Sequence, residues 1–335
     1  MKFKNIRYIF LSYCLIATFS SCSKQEKTED GVIKVNEKGI PVMQPLQEAL
    51  PKLSAAFIKE KKYAVSMFFE KTWSEKNDNV SFLVAKNGQI IYENYMGFAN
   101  KRTDEQITKD TPLHIASVSK VLTATATLML IDAHKIKLDQ KVNTIIKNFP
   151  YPDVTVQTLL NHRSGMKNYA YFTYENNNWD KKVTLTNEDI IKVMVDKEIP
   201  LESKSDTRFS YCNTNYAVLA LIIEKVTGMK FPEAMKEMIF TPLGMTNTYV
   251  CDFKKDHENI VPSYKGNNVE IGTDYLDGVY GDKNIYSTPR DLLKFDTARF
   301  APFFLNPELL KNNNPLPPYN CRSINAGTNT FPCRS

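Results

Sequence analysis

Apolar residues follow Ser117 so densely that they occupy nearly the whole circumference of a helix. They are Val118, Val121, Leu122, Ala124, Ala126, Leu128, Met129, Leu130, Ile131 and Ala133. A helix that is apolar on every side belongs in a protein core, so the pattern predicts a buried helix that begins near Ser117. Lys120 is the exception, because it places a charge in the first turn of this helix.

Two patterns predict the elements upstream of this helix. Residues 46–72 carry helical periodicity. Residues 80–100 contain two apolar runs joined by Asn87-Gly88. This dipeptide is the strongest short signal for a β-hairpin, because both residues tolerate the left-handed backbone of a tight turn.

Further helices are predicted downstream. Thr186 and Asp189 form a capping box for a helix over about 187–196. Residues 214–228 form an apolar helix that Gly228 closes. The order of helix, hairpin and long helical stretch predicts an α+β protein, in which a helical domain is inserted into an antiparallel sheet or packed against it.

The N-terminus has the pattern of an export signal. Three basic residues lie within the first seven positions, an apolar run covers residues 8–18, and small residues precede Cys22. The run is too short to span a bilayer, and small residues directly before a cysteine resemble the lipobox of bacterial lipoproteins. We therefore expect residues 1–21 to be a signal peptide and Cys22 to be lipidated.

The segment after Cys22 is expected to connect the lipid to the folded domain. Residues 22–45 are polar and lack periodicity, which is typical of a tether. The protein is accordingly expected to be a lipid-anchored membrane protein of the cell envelope that faces the periplasm. Ser23, rather than Asp, follows the cysteine and favours the outer membrane.

Charge and cysteine content exclude several classes of protein. The chain has 43 basic and 37 acidic residues and no basic run with interleaved aromatics, so no nucleic-acid partner is expected. Outside the signal and the lipid site, the cysteines have no metal-like spacing, and the sequence implies neither a metal nor a cofactor. A disulfide is allowed but not implied. The four cysteines outside the signal and the lipid site are Cys212, Cys251, Cys321 and Cys333.

The pattern S-x-x-K suggests a nucleophilic serine with a lysine base, because it places the two side chains on one helical face. It occurs at Ser21–Lys24, Ser117–Lys120 and Ser164–Lys167. Only Ser117 opens a helix that is apolar throughout. Burial disfavours the charged form of a lysine and lowers its pKa, so a neutral Lys120 would take the proton of Ser117 and make the serine a nucleophile.

A tyrosine can pass the proton to the leaving group when nearby cations lower its pKa. The pattern Y-x-N places a tyrosine and an amide on one side of an extended loop, and it occurs at Tyr92, Tyr174 and Tyr211. Tyr211 with Asn213 is the preferred candidate, because it precedes a buried helix that would hold it rigidly.

Other residues receive structural interpretations. We expect His162 to be structural rather than catalytic, and Lys283 and Arg290 to be solvated. For the aromatic segment 169–179, both a wall of a substrate pocket and simple packing stay open.

Four phrases, taken in order with the S-x-x-K element, carry a family resemblance. They are "LLNHRSGM" at 159–166, "YCN" at 211–213, "TPLGMTNT" at 241–248 and "GDKNIYSTPRDLLKF" at 281–295. The chain resembles the serine β-lactamase and penicillin-binding-protein family, in the branch of class C β-lactamases, D,D-carboxypeptidases and esterases, over residues 46–311. It departs from the family at Arg163, where threonine is frequent, and at Cys212, where serine is usual.

The resemblance implies a β-lactamase/transpeptidase-like fold and a serine acyl hydrolase. Ser117 would form an acyl-enzyme with a β-lactam, a D-Ala peptide or an ester, Lys120 would be the base, and Tyr211 would protonate the leaving group. Asn213 would orient the substrate. The implied partner is a small molecule or a cell-wall peptide, with no cofactor.

A third family motif, H-x-G or K-T-G, does not occur in the sequence. In the family this strand supplies an N–H of the oxyanion hole, and losing one such donor lowers the rate by about 10²–10³. Residues 312–335 also change in composition, towards proline and cysteine. We therefore expect an incomplete domain without its C-terminal strands, followed by a tail typical of a frameshift or truncation. The alternative functions are a catalytically inactive lipoprotein or a non-catalytic binder of cell-wall peptides.

Overall fold

The computed structural model describes residues 33–73, 78–256, 260–301 and 305, which fall within one compact unit. The helices of these ranges are α1 (Ala55–Trp73), α2 (Ser119–Asp132), α3 (Val156–Leu160), α4 (Tyr169–Phe172), α5 (Asn187–Asp196), α6 (Asn213–Thr227), α7 (Phe231–Met235), α8 (Phe253–Asp256) and α9 (Pro289–Ala298). The strands are β1 (Val80–Lys86), β2 (Gln89–Met96), β3 (Phe98–Asn100), β4 (Glu105–Gln106), β5 (Leu113–His114), β6 (Tyr249–Val250), β7 (Ser263–Tyr264), β8 (Glu270–Ile271) and β9 (Ile285–Ser287).

The predicted hairpin is confirmed as β1 and β2, which pair antiparallel. Asn87 and Gly88 both have positive φ, 50° and 69°, as a two-residue turn between twisted strands requires. The helix α1 packs on this hairpin through Phe69, whose ring lies 5.4 Å from that of Phe82 and 5.9 Å from that of Tyr92. Helix α9 packs against β1.

A small antiparallel sheet, in the order β5–β9–β6, holds the start of α2 in place. Leu113 pairs with Ser287, and the N–H of Ile115 donates to the carbonyl of Ile285 at 3.0 Å. Because β9 runs directly after the loop 281–284, this pairing brings the loop next to the first turn of α2.

The core of the helical part lies between α2 and α6, which contact each other directly. Almost every residue of α2 is buried, as its pattern predicted. Helix α6 is surrounded by α3, α5 and α7 and ends at Gly228, whose φ of 72° allows the left-handed C-terminal residue. Both helices are confirmed, and together with the antiparallel strands they confirm the α+β class.

Helix α5 also follows its prediction, from Asn187 to Asp196. The Thr186 hydroxyl accepts from the N–H of Asp189 at 3.2 Å, and the Asp189 carboxylate accepts from the N–H of Thr186 at 3.0 Å. This reciprocal pair satisfies donors that the first turn of a helix leaves free.

The prediction that residues 22–45 form a tether is wrong for its second half. Ile33, Ile40 and Met43 are buried, and the N–H of Met43 donates to the carbonyl of Met238 at 2.8 Å. Three separated apolar side chains on an irregular backbone carry no periodicity, so their burial leaves no local pattern in the sequence. Residues 22–32 lie outside the described residues.

The first helix is also shorter than its periodicity suggested. It begins at Ala55, after Pro45 and Pro51, because the residue before a proline is biased away from helical backbone. The Ser54 hydroxyl accepts from the N–H of Phe57 at 3.2 Å and so supports the helix start.

The expected loss of C-terminal strands concerns residues 306–335, which lie outside the described residues, and it stays a prediction. In the described part of the chain, no helix combines the length and apolar character needed to cross a membrane.

Candidate active site

Ser117 lies exposed in a single 3₁₀ turn, Ala116–Val118, which leads directly into the buried helix α2. The residue before it, Ala116, has a φ of 45°, in the left-handed region that alanine rarely adopts. Strained backbone of this kind is frequent next to reacting groups, where the surrounding fold fixes it. Ser119 and Lys120 are buried immediately behind the exposed serine.

The buried side chain of Lys120 reaches back to Ser117. Its Nζ donates to Ser117 Oγ at 3.1 Å and to the backbone oxygen of Asp282 at 2.7 Å. Burial lowers the pKa of Lys120 to about 8, although the charge of Asp282 acts in the opposite direction. A lysine that loses its proton this readily can serve as a base near neutral pH.

Tyr211 completes the group around the serine. Its hydroxyl donates to Ser117 Oγ at 2.9 Å, and Lys120 Nζ lies 5.1 Å from the centre of its ring. The expectation that cations lower the pKa of Tyr211 is wrong. Burial raises this pKa, because desolvation of the phenolate outweighs the hydrogen bond with Ser117, which acts in the opposite direction. Tyr211 is therefore a neutral phenol at neutral pH and donates to Ser117.

The other two Y-x-N tyrosines have different surroundings. Tyr92 lies in the aromatic cluster beneath the hairpin, where its hydroxyl accepts from the side chain of Asn94 at 3.0 Å. Tyr174 is 64% exposed, with Lys181 over its ring. Among the described hydrogen bonds, Tyr211 is the one tyrosine of the three that reaches Ser117.

Asn213 is the first residue of α6, two positions after Tyr211. The backbone of Cys212 between them is extended, with φ −143° and ψ 120°, so the two side chains leave the loop on the same side. Asn213 Oδ1 is buried and has no hydrogen-bond partner within the described residues. The structure thus brings Ser117, Lys120 and Tyr211 into direct contact and leaves the amide of Asn213 available.

Asp282 is a member of the group that sequence reasoning missed. Besides holding Lys120 through its backbone, it accepts from the Tyr169 hydroxyl through Oδ2 at 3.0 Å. Burial raises the pKa of Asp282, whereas Lys120 and Lys283 lower it. Asp282 lies three positions before the strand β9, but nothing local connects it to a lysine 162 positions earlier.

Two basic residues expected to be solvated are paired instead. Lys283 Nζ contacts Asp277 Oδ1 at 3.1 Å. Arg290 forms two hydrogen bonds to Glu93, one of them from Nε at 2.9 Å. Asp277 lies six positions before Lys283, whereas Glu93 lies 197 positions before Arg290, so the sequence around Arg290 does not indicate its partner.

The aromatic segment 169–179 divides between the two interpretations. Tyr169 and Phe172 are 1% exposed and belong to the core, as packing requires. Tyr171 and Tyr174 are each 64% exposed.

The described cysteines, Cys212 and Cys251, are buried free thiols. Cys22, Cys321 and Cys333 lie outside the described residues. Across the described ranges, no three His, Cys, Asp or Glu side chains are grouped closely enough to hold a metal ion.

A family model and two curated relatives match between about half and three quarters of this chain. A family model described as "Beta-lactamase" matches residues 66–318. A penicillin-binding protein of Bacillus subtilis is 28% identical over 261 residues, which are 73% of this chain and 57% of that protein. A D-aminopeptidase of Brucella anthropi is 30% identical over 174 residues, 48% of this chain and 31% of that one. The chain spans about half the length or less of these two curated relatives.

Solved structures have the same fold. A penicillin-binding protein from Bacillus halodurans superposes with a TM-score of 0.60 at 22% identity, covering 72% of this chain and 74% of the other. A D-amino acid amidase from Ochrobactrum anthropi gives 0.59 at 22% identity, covering 74% and 73%. With the family pattern matched over most of its length and a β-lactamase/transpeptidase-like fold, the chain belongs to the beta-lactamase family of serine acyl hydrolases.

Proposed function

We propose that this protein is a serine acyl hydrolase that forms a covalent acyl-enzyme on Ser117. The observation that carries the proposal is the convergence on Ser117 Oγ of Lys120 Nζ at 3.1 Å and Tyr211 Oη at 2.9 Å. A nucleophile needs a base within hydrogen-bond distance and a donor for the leaving group, and these two residues supply both.

Acylation begins with neutral Lys120. As Ser117 Oγ forms its bond to the carbonyl carbon, its proton passes to Lys120 Nζ and the carbonyl π electrons move to oxygen. Tyr211 then gives its proton to the leaving nitrogen or oxygen, as the electrons on the oxyanion re-form the carbonyl and the bond between the carbonyl carbon and the leaving group breaks. The Lys120 ammonium then returns a proton to the Tyr211 phenolate, so that both groups are neutral again in the acyl-enzyme. At a pKa of about 8, about a tenth of Lys120 is neutral at pH 7.

Deacylation reverses the direction of proton flow. A water molecule attacks the ester carbon and gives a proton to the Lys120–Tyr211 pair, and Ser117 Oγ takes that proton back when its bond to carbon breaks. Asn213 supports the orientation of the substrate, because its buried Oδ1 has no described partner and can accept from a substrate N–H.

The proposed substrates are β-lactams, peptides that end in D-Ala, and simple esters. The relatives support this range, since they include a penicillin-binding protein and a D-aminopeptidase. All three substrates present a carbonyl to the same serine and differ in the group that leaves.

The proposal is tested by labelling with a fluorophosphonate and with a fluorescent penicillin. We expect covalent labelling of the wild type and none of Ser117→Ala. Tyr211→Phe should lower the labelling rate at least about 10-fold, whereas the matched control Tyr174→Phe should not change it. Equal labelling of wild type and Ser117→Ala would refute the assignment.

A second candidate is a non-catalytic lipoprotein that binds cell-wall peptides, and the buried Asn213 Oδ1, which has no described partner and can accept from a peptide N–H, fits such a binder as well. Turnover decides between the two candidates. Multiple turnovers of a chromogenic lactam, a D-Ala-D-Ala peptide or a nitrophenyl ester by this chain would exclude the binder, while saturable peptide binding without any turnover would support it.

We also propose that Cys22 carries the lipid that holds the protein in the cell envelope, facing the periplasm. The support is the N-terminal sequence pattern. Mass spectrometry of the mature N-terminus should find an acylated cysteine, and an N-terminal residue other than Cys22 would refute this assignment.

A further inference from the structure

The residues on both sides of Tyr211 bond to one histidine. The N–H of Ser210 donates to the backbone oxygen of His162 at 2.8 Å. The N–H of Cys212 donates to His162 Nδ1 at 3.1 Å. The imidazole also lies against Tyr211 itself, with ring centres 4.6 Å apart. Backbone before Tyr211, backbone after it and one side of its ring are therefore all held by His162.

A hydrogen-bond chain determines which nitrogen of His162 is free to accept. The Ser164 hydroxyl donates to Asn215 Oδ1 at 2.6 Å and accepts from the N–H of Met166 at 3.1 Å. With its oxygen engaged in this way, the Asn215 amide turns its Nδ2 towards His162 Nδ1, at 3.2 Å. Two donors therefore face Nδ1, so the proton of the neutral ring is on Nε2.

We propose that His162 is a positioning residue for Tyr211, which it holds so that the phenol hydroxyl stays on Ser117 Oγ. This inference rests on the proposed acyl hydrolase function. His162 is 1% exposed and sits on left-handed backbone with a φ of 55°, which histidine and asparagine tolerate better than most residues. Burial, with Lys120 as the second cause, lowers the pKa of His162 to about 4, so the accepting form prevails at neutral pH.

The test uses two substitutions of His162, of which one removes the hydrogen-bond acceptor and the other retains one. His162→Ala removes the ring and the acceptor, whereas His162→Asn returns an acceptor close to the position of Nδ1 and suits the left-handed backbone. We expect His162→Ala to lower kcat/KM for a nitrophenyl ester about 10- to 100-fold, mainly through kcat, because a small displacement of a catalytic group has effects of this size. His162→Asn should recover a substantial part of that loss.

Two comparisons separate positioning from general stability. In a Tyr211→Phe background, His162→Ala should change kcat/KM less than about 3-fold, because an effect that acts through the Tyr211 hydroxyl cannot act twice. His134→Ala is the matched control, because His134 also has left-handed backbone, with a φ of 54°, but its side chain is exposed. This substitution should leave kcat/KM unchanged. Losses that simply multiply in the double variant would overturn the proposal.

A third measurement does not depend on activity or on the folding of His162→Ala. The ¹⁵N spectrum of histidine-labelled wild type should show, at pH 6, one imidazole with an unprotonated Nδ1 and a proton on Nε2, and this signal should be absent from His162→Asn. A charged imidazole at this position would overturn the proposal. Failure of the proposed function is recognised separately, by labelling that does not depend on Ser117.

Discussion

At the scale of single residues, burial sets the protonation states of the candidate site. It lowers the pKa of Lys120 and raises that of Tyr211, so both groups move towards their neutral forms. A neutral amine accepts a proton and a neutral phenol donates one, which are the two steps that acylation of Ser117 requires. The low polarity around α2 is thus part of the chemistry.

The pH dependence of acylation follows from the lowered pKa of Lys120. We expect kcat/KM to rise about 10-fold per pH unit below pH 8 and to level off above it, because only neutral lysine can act as base. The charge of Asp282 raises this pKa, so Asp282→Asn should move the inflection to lower pH. Initial rates with a pH-independent ester between pH 5.5 and 9.5 measure both effects, and an unshifted inflection in the variant would contradict the coupling.

The same burial has a cost in stability. Lowering a lysine pKa from 10.5 to about 8 corresponds to about 3 kcal/mol against the charged form. This cost is fully present below pH 8, where Lys120 is charged in both states. It decreases between pH 8 and 10.5, where the folded lysine is neutral and the unfolded one is still charged.

Lys120→Met should therefore be more stable than the wild type at pH 7, by about 1–3 kcal/mol, while losing activity. The gain should shrink as the pH rises to 9.5. Urea unfolding at both pH values measures it, and a destabilised Lys120→Met at pH 7 would show that the hydrogen bonds of Lys120 outweigh its desolvation.

At the scale of elements, one ion pair joins the hairpin to α9. Glu93 on β2 accepts two hydrogen bonds from Arg290 and one from the Tyr95 hydroxyl at 2.8 Å. Arg290 holds the pKa of Glu93 below its ordinary value. The link contributes stability above the unfolded pKa of about 4.5, and this contribution is lost as the pH falls through the folded pKa.

Arg290→Ala should lower the free energy of unfolding by about 1 kcal/mol at pH 7, because a paired, partly buried guanidinium is worth more than a solvated one. Arg102→Ala is the matched control, since the Arg102 side chain is 72% exposed beside Glu270, and its effect should be within about 0.5 kcal/mol. The difference between the two variants should vanish near pH 3. Equal effects of the two substitutions at pH 7 would show that the Arg290–Glu93 pair does not stabilise the protein.

At the scale of the whole molecule, the segment before α1 belongs to the folded body. Met43 is 1% exposed and bonds through its backbone to Met238, which follows α7. A segment that buries apolar side chains so far from its partner in sequence adds to the stability of the entire domain.

Met43→Ala should destabilise the protein by about 2–4 kcal/mol, because it leaves a cavity in a packed region. Met67 lies on α1 and is 48% exposed. Met67→Ala removes the same atoms and should change stability by less than about 0.5 kcal/mol. Thermal or urea unfolding compares the two, and equal small effects would restore the tether interpretation for residues 33–45.

The sequence by itself determined what local patterns can encode. Asn87-Gly88 determined the hairpin turn, Thr186 and Asp189 the start of α5, and Gly228 the end of α6, because each depends on backbone conformation or on partners within a few residues. The contact of Ser117 with Lys120 is also local, because the two residues are three positions apart on one helical turn.

The tertiary structure decided which of these local possibilities meet. It selected Tyr211 among three Y-x-N tyrosines, placed the backbone of Asp282 on Lys120, and put His162 against the residues around Tyr211. These contacts join positions from 50 to 162 residues apart. Their partners, and the burial that sets each pKa, arise only when distant elements pack together, so no segment of the sequence carries them alone.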